Sequence, residues 1–318
     1  MMGPLAAAGE TDTVTAMTLV WLPDDDWSEH LSVAPELSVE VWRSGQPVPG
    51  SVGDVALYVP EYMGSDQAFE VMDAMESLKV VQTLTAGVDD VLAHLPSGVI
   101  LCNAAGVHDA STAELAVGLA IASLRGFPNF LRAQDEGTWL HARHDALADR
   151  RVLLVGAGSV GSAIAARLGP FEVDLQVVAR TARDGVHGAD ELSELLPTAD
   201  VVILAIPHGP ETHHLADRGF LAALPDGALV VNVARGPVVD TDALIAELTA
   251  GRLRAALDVT DPEPLPPDHP LWLAPNVLIT PHVGGDTSAF LPRAWRLLQE
   301  QLDRFASGQT LANVVRVD

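Results

Sequence analysis

Arg235, Glu263 and His282 are of the types needed to handle a small acid, and each follows or flanks an apolar run late in the chain. Arg235 comes directly after "ALVVNVA", Asp258 ends "LRAALD", Glu263 sits in the proline-rich "TDPEPLPPDHP", and His282 follows "NVLITP". Open parallel sheets bind ligands beyond the carboxyl ends of their strands. A guanidinium placed there can fork two hydrogen bonds onto a carboxylate. For Arg235 the competing reading is an ion pair with a neighbouring acid. For His282 it is an ordinary turn residue at a strand tip, ahead of Val283, Gly284 and Gly285.

Upstream, "VLLVGAGSVGSAIAARL" supplies Gly156, Gly158 and Gly161 directly after a strand-like run and at the opening of a helix. The first glycine turns the chain, the second leaves room for a pyrophosphate, and the third lets the helix pack closely. The helix N-terminus, with Ser159 and Val160, then faces the anion. In this setting the pattern indicates dinucleotide binding rather than a purely structural turn. A free adenosine ribose calls for Asp or Glu at the end of the next strand. Here "DLQVVAR" leads through Ala179 into Arg180, Thr181 and Arg183. Two cations and a hydroxyl suit a 2′-phosphate, so NADP(H) is expected in preference to NAD(H). The alternative is a pair of surface arginines unrelated to the cofactor.

These residues need a sheet to hold them. "RVLLVGAG", "DLQVVAR", "ADVVILAIP", "GALVVNVARG", "LRAALDV" and "NVLITPH" are near-continuous Val/Leu runs, as expected of parallel strands covered on both faces. The first hundred or so residues alternate "MTLVWLP", "LSVEVW", "VALYVP", "KVVQTLTAG" and "GVILCN" with helical segments such as 66–76, a second parallel α/β pattern. Between the two series, "DASTAELAVGLAIASLRG" predicts a long helix opened by Ser/Thr caps and closed at Gly126, followed by a second helix to about Glu136. The expected fold is α/β, with two doubly wound parallel-sheet domains. One is a discontinuous, flavodoxin-like domain of residues 1–103 and 288–318, including a final amphipathic helix over 288–306. The other is a Rossmann domain of residues 104–287, with the site expected in the cleft.

A chain of 318 residues is long enough for two domains of ordinary size. The net charge of −25, from 18 basic and 43 acidic residues, argues against nucleic acid or anionic lipid as a partner. No apolar run reaches the roughly 18 residues of a membrane span. The opening "MMGPLAAAGETDTVTAM" lacks the basic start and apolar length of a secretory signal, which predicts a loose tail with Met17 as a candidate start. Cys102, the single cysteine, excludes an internal disulfide and any multi-cysteine metal site, and fits a reducing cytoplasm.

Taken together, "GAGSVG", "ARG" after an apolar strand, "DVTDPEPLP" and "TPHVGG" resemble, in order and spacing, the D-isomer-specific 2-hydroxyacid dehydrogenases. This family includes glyoxylate/hydroxypyruvate reductases and phosphoglycerate dehydrogenase. The resemblance extends upstream through "TAELAVGLAIASLR" to "QTLTAGVDD". It implies reversible reduction of a small 2-oxoacid to its D-2-hydroxyacid by a nicotinamide cofactor, in a cytoplasmic homodimer. By the same resemblance Arg235 orients the substrate carboxylate and polarises its keto oxygen, His282 is the general acid/base, and Glu263 pairs with it. The backbone amides of Ala86 and Gly87 match the loop that holds the other side of the carboxylate. Asp258 matches a residue meeting the nicotinamide amide, and Pro207 a loop packed on the cofactor. Ala234, His282 and Gly284 complete the expected cofactor contacts.

Thr260 stands where the family often has an aromatic and Ala157 where it often has a bulkier residue; both read as packing adjustments away from the chemistry. His141 and His144 in "HARH" mimic a metal pair without a third ligand, so no metal is expected. Cys102 reads as a buried strand-end residue, and Trp139 as solvent-facing or interface packing. Arg43 and Lys79 are the only basic groups before Ala104, which favours glyoxylate, hydroxypyruvate or a similar short acid over a phosphorylated one. The chain's end at Asp318 likewise suggests no regulatory extension of the phosphoglycerate dehydrogenase kind. The rivals are phosphoglycerate dehydrogenase-type activity, a formate dehydrogenase, which has glutamine in place of Glu263, and a non-catalytic nucleotide-sensing scaffold like the corepressors of this fold.

Overall fold

The computed structural model describes residues 17–315; the segment expected to be a loose tail lies, up to Ala16, outside the described residues. The chain divides into two compact units, one formed by the chain up to Ala104 together with the chain from Ala294 onward, the other by Ala105–Arg293.

In the first unit, β1 (Thr18–Leu22), β2 (Leu37–Val41), β3 (Val55–Tyr58), β4 (Val80–Gln82) and β5 (Ile100–Cys102) form one parallel sheet in the order β2-β1-β3-β4-β5. Short helices α1 (Asp25–His30), α2 (Gln67–Glu70) and α3 (Asp89–Leu92) connect them. The helix expected over 66–76 is α2 running into a tighter 3-10 turn, Val71–Ala74. Side chains three apart eclipse in such a turn, which lets Phe69, Met72 and Met75 all reach the core. The C-terminal helix Phe290–Ala306 buries Ala294, Leu298 and Leu302. Between them Gln301, fully buried, donates from Nε2 to Gln82 Oε1 at 2.6 Å and accepts from the Ala312 amide at 2.8 Å. A buried amide so satisfied fixes one helix register against β4. Cys102 is buried at the end of β5, and burial pushes its thiol pKa up.

The second unit contains α4 (Asp109–Leu124), α5 (Phe127–Asp135), β6 (Arg151–Val155), α6 (Ser159–Leu168), β7 (Asp174–Ala179), β8 (His187–Gly188), α7 (Leu192–Leu195), β9 (Val201–Leu204), α8 (Arg218–Ala223), β10 (Leu229–Asn232), α9 (Thr241–Thr249), β11 (Arg254–Leu257) and β12 (Val277–Ile279). Its seven strands are parallel, in the order β12-β11-β10-β9-β6-β7-β8. The chain winds one way from β6 to β8 and the other way from β9 to β12, so the order reverses between β6 and β9. Every residue of β9 and β10 is buried. Successive side chains alternate between two cores: Val202, Leu204 and Val230 enter one, while Val201, Ile203, Leu229 and Val231 enter the other with α4 and α6. That double coverage is why these strands are written in Val and Leu without polar alternation.

The Ser/Thr caps expected for α4 are displaced. His108 occupies the N-cap position and Ser111 and Thr112 lie one turn inside the helix. Ser111 is drawn in because its hydroxyl pairs with Thr287 Oγ1 at 2.7 Å. The helix ends as expected, with Gly126 in the left-handed region at φ +67°. His144 packs over this turn and meets Phe130 edge-on at 5.0 Å. Among the described residues no group of three or more His, Cys, Asp or Glu is placed to hold a metal ion. No helix among them is long and apolar enough to cross a membrane.

Candidate active site

The register of the second sheet brings the polar positions to one edge. Asn232 pairs with Leu257 across β10 and β11, and Leu257 with Ile279 across β11 and β12. Arg235, Asp258 and His282 therefore leave the carboxyl ends of three adjacent strands. Asn232 and Val155 both pair with Leu204 of β9, so the glycine turn after β6 and the Pro207 loop after β9 lie on the same edge.

Each of the three polar positions is held by a specific local device. Asn232, buried at the end of β10, donates from Nδ2 to the Arg235 carbonyl at 3.0 Å and accepts from the Ala234 amide at 3.0 Å, closing the turn that presents Arg235. Gly236 then lies so near the next loop that a Cβ there would sit 1.8 Å from the Thr260 carbonyl oxygen. Only a residue without a side chain allows that approach, and it seats the Thr260–Glu263 turn beside Arg235. The Thr260 amide points at Glu263 Oε2 at 3.4 Å, and its hydroxyl donates to the Pro262 carbonyl at 2.9 Å. Thr260 is thus part of the support of Glu263, a correction to its reading as packing remote from the chemistry.

His282 adopts φ +53°, a left-handed conformation uncommon outside glycine. Asp258 holds it there. The Asp258 carbonyl accepts the His282 amide at 2.7 Å, and its buried carboxylate accepts Thr280 Oγ1 at 2.6 Å and the Val283 and Gly284 amides at 2.9 Å each. Gly284 belongs to this knot: a Cβ there would meet Asp258 Oδ2 at 2.9 Å. The ring of His282 meets Glu263, with Nδ1 and Oε1 2.5 Å apart. With the carboxylate as acceptor Nδ1 carries the hydrogen, which leaves Nε2 as the nitrogen available to a reactant. Burial pushes the Glu263 carboxyl up, but the hydrogen bond and charge of His282, the Thr260 amide and the charge of Arg235 outweigh it and hold its pKa below the usual carboxylate range. The effect of Arg235 on Glu263 places the guanidinium near the same pair.

At the glycine turn the three expected roles separate cleanly. A Cβ on Gly156, at φ +122°, would lie 2.1 Å from the Ala205 carbonyl oxygen, and one on Gly161 would lie 2.0 Å from the Gly156 oxygen. Gly158, the residue before α6, faces open space with nothing within 4 Å of a Cβ. Two glycines are required by packing and one leaves a vacant approach to the helix N-terminus, the shape a pyrophosphate needs. Ser159 Oγ donates to Asp109 Oδ1 at 3.1 Å, and Val160 packs in the core beneath. After β7, Arg183 Nη2 donates to the Ala157 carbonyl at 3.1 Å, bringing that guanidinium to the glycine turn. Arg180 forms an exposed ion pair with Glu211 at 3.6 Å, and Thr181 is exposed.

Ala86 and Gly87 belong to the first unit and follow β4. Their carbonyls are tied down, Ala86 by Asn103 Nδ2 at 2.8 Å and Gly87 by Thr85 Oγ1 at 2.7 Å. Among the described residues neither amide has an acceptor. Trp139 is 95% exposed. Sequence reasoning missed Asn232, whose only signal was one amide in the apolar run "ALVVNVA", and Glu211, which nothing near the arginines in sequence announces.

The fold and this edge define a dinucleotide-binding Rossmann unit that carries an arginine beside a carboxylate–histidine pair. The profile of the D-isomer specific 2-hydroxyacid dehydrogenase NAD binding domain matches residues 117–284. A glyoxylate reductase/hydroxypyruvate reductase of Mus musculus is 32% identical over 278 residues, covering 81% of this chain and 84% of the relative. A D-3-phosphoglycerate dehydrogenase of Methanocaldococcus jannaschii is 33% identical over 267 residues, 80% of this chain; the match spans only 50% of that longer protein. The crystal structure of a D-isomer specific 2-hydroxyacid dehydrogenase from Xanthobacter autotrophicus Py2, in complex with NADPH and MES, shares the fold at a TM-score of 0.80 and 33% identity, covering 95% of this chain and 98% of that one. The chain belongs to the D-isomer specific 2-hydroxyacid dehydrogenase family, and its second unit is of the family's nicotinamide-dinucleotide-binding type.

Proposed function

We propose that the protein reduces a short 2-oxoacid, of the glyoxylate or hydroxypyruvate type, to its D-2-hydroxyacid, and runs the reverse oxidation, with NADP(H) preferred. The observation that carries this reading is the His282–Glu263 hydrogen bond of 2.5 Å beside Arg235, on the sheet edge that also bears the glycine turn. Arg235 orients the substrate carboxylate through its fork of donors and polarises the keto oxygen. In the first unit, the Ala86 and Gly87 amides, without an acceptor among the described residues, suit a carboxylate. Glu263, ionised, accepts the hydrogen of His282 Nδ1 and fixes its ring. Nε2 then delivers a proton to the keto oxygen, and takes it back in the oxidation. The bound nicotinamide supplies or accepts the hydride at carbon 2. The open face of Gly158 fits its pyrophosphate, and Arg183, Arg180 and Thr181 suit a 2′-phosphate. The residual capacity of Asp258 Oδ2 leaves it able to meet the nicotinamide amide, Pro207 and Ala234 line the same edge, and homodimeric, cytoplasmic enzyme is the form in which we expect it to act.

The test is oxidation of NADPH and NADH with a panel of 2-oxoacids. Turnover should appear with the short acids, and His282→Asn should lower kcat by about 10²–10⁴-fold while cofactor affinity survives. Absence of turnover with retained cofactor binding would favour a nucleotide-sensing scaffold, and near-normal turnover in the variant would defeat the role of His282.

A further inference from the structure

Two of the groups suited to a dinucleotide's phosphates are already engaged by carboxylates of the protein itself. At the glycine turn, Asp109 opens α4 and Ser159 opens α6, and the Ser159 hydroxyl donates to Asp109 Oδ1 at 3.1 Å. The two helices therefore begin side by side, and the Asp109 carboxylate lies in the positive field of both N-termini. A pyrophosphate approaching the open face of Gly158 enters that same field. At the end of β7, Arg180 is ion-paired with Glu211 at 3.6 Å. Glu211 belongs to the loop after β9, which is braced by the Thr212 hydroxyl donating to the Pro207 carbonyl at 2.8 Å. The Arg180 and Glu211 side chains are 83% and 77% exposed, so the pair is weak enough for an entering anion to break. Arg183 differs: it donates to the Ala157 carbonyl and has no carboxylate partner among the described residues.

We infer that Glu211 and Asp109 are built-in competitors of the cofactor's phosphates, Glu211 setting how far NADPH is favoured over NADH and Asp109 weakening both alike. The inference rests on the dinucleotide reading given above and on its preference for NADP(H). Glu211 must release Arg180 before that guanidinium can meet a 2′-phosphate, and its own charge repels the same group. NADH carries a hydroxyl at that place and is spared both effects. The pyrophosphate is common to the two cofactors, so the charge of Asp109 cannot tell them apart. Looser binding shows mainly as faster dissociation, which frees the site for the next cofactor after each turnover.

Fluorescence titration of the full chain with NADPH and with NADH, at low ionic strength where exposed charges are least screened, reads the two roles separately. Glu211→Gln should lower the Kd for NADPH about three- to fivefold and leave that for NADH unchanged. Asp109→Asn should lower both by one common factor, about two- to fivefold. Both substitutions conserve shape, and the Tm of each cofactor-free variant checks the fold; Glu211→Ala carries the test if Glu211→Gln does not fold. A Glu211 variant that moves both cofactors alike, or neither, overturns the role of Glu211. Asp109→Asn moving one cofactor only, or neither, overturns that of Asp109. A wild type that prefers NADH, while Glu211→Gln still gains affinity for NADPH alone, upholds the competition and overturns the NADP(H) preference beneath it. Binding of neither nucleotide by the wild type overturns the dinucleotide reading itself.

Discussion

Glu263 keeps its charge further into acid than an ordinary carboxyl because His282, the Thr260 amide and Arg235 together outweigh the burial that would neutralise it. Its folded-state pKa being depressed below 4.5, ionised Glu263 contributes stability that is present above that ordinary value and is lost as pH falls through the folded one. The side chain is 36% exposed, so solvent screens much of the effect. Urea midpoints of the wild type and Glu263→Gln should therefore differ at neutral pH, and the difference should shrink as the pH drops through the carboxyl range. A difference that stays constant with pH would mean that packing, not charge, joins Glu263 to the fold. The same residue matters to turnover for another reason. A carboxylate that stays ionised throughout the range in which an imidazole changes charge can hold His282 in one tautomer over the whole working range.

At the level of the element, the turn from β6 into α6 shows how one motif divides its labour. Gly161→Ala would drive a Cβ to 2.0 Å from the Gly156 oxygen and force helix and strand apart. Gly158→Ala meets nothing within 4 Å. We expect Gly161→Ala to cost about 1–3 kcal/mol of stability by overpacking, seen as a lower Tm of the cofactor-free protein. Gly158→Ala should leave that Tm unchanged and weaken cofactor binding, measured by titration of intrinsic fluorescence. Equal loss of stability in both variants would show that the vacant face of Gly158 is not a ligand surface. The loop elements are built on the same economy of space: Gly236 exists to let the Thr260 carbonyl pass, and Asp258 spends three accepted hydrogen bonds on the backbone and side chain around His282.

For the molecule as a whole, a ligand that binds only the folded state raises stability by about 2.7 kcal/mol when present at a hundred times its Kd. A thermal melt is then a direct reading of cofactor choice. At equal concentration NADPH should raise Tm more than NADH, because Arg183 reaches the glycine turn and no carboxylate ends β7. An equal or larger shift with NADH would reverse the assignment and point to Glu211, paired with Arg180, as the stronger influence.

The parallel strands, the long helix closing at Gly126, the glycine turn and the polar residues at strand ends were legible in the sequence, because double-sided burial writes itself as Val/Leu runs and sharp turns write themselves as glycine. What the sequence could not supply was partnership across distance. That Ser111 would pair with Thr287 and leave the cap of α4, that Thr260 would brace Glu263, that Asn232 would close the turn under Arg235, and that Glu211 would meet Arg180 all depend on which strand lies beside which. Local pattern fixes where a chain turns and which face it buries. Only the order β12-β11-β10-β9-β6-β7-β8 decides which of those turns share an edge, since hydrogen-bonded neighbours in a parallel sheet need not be neighbours in the chain.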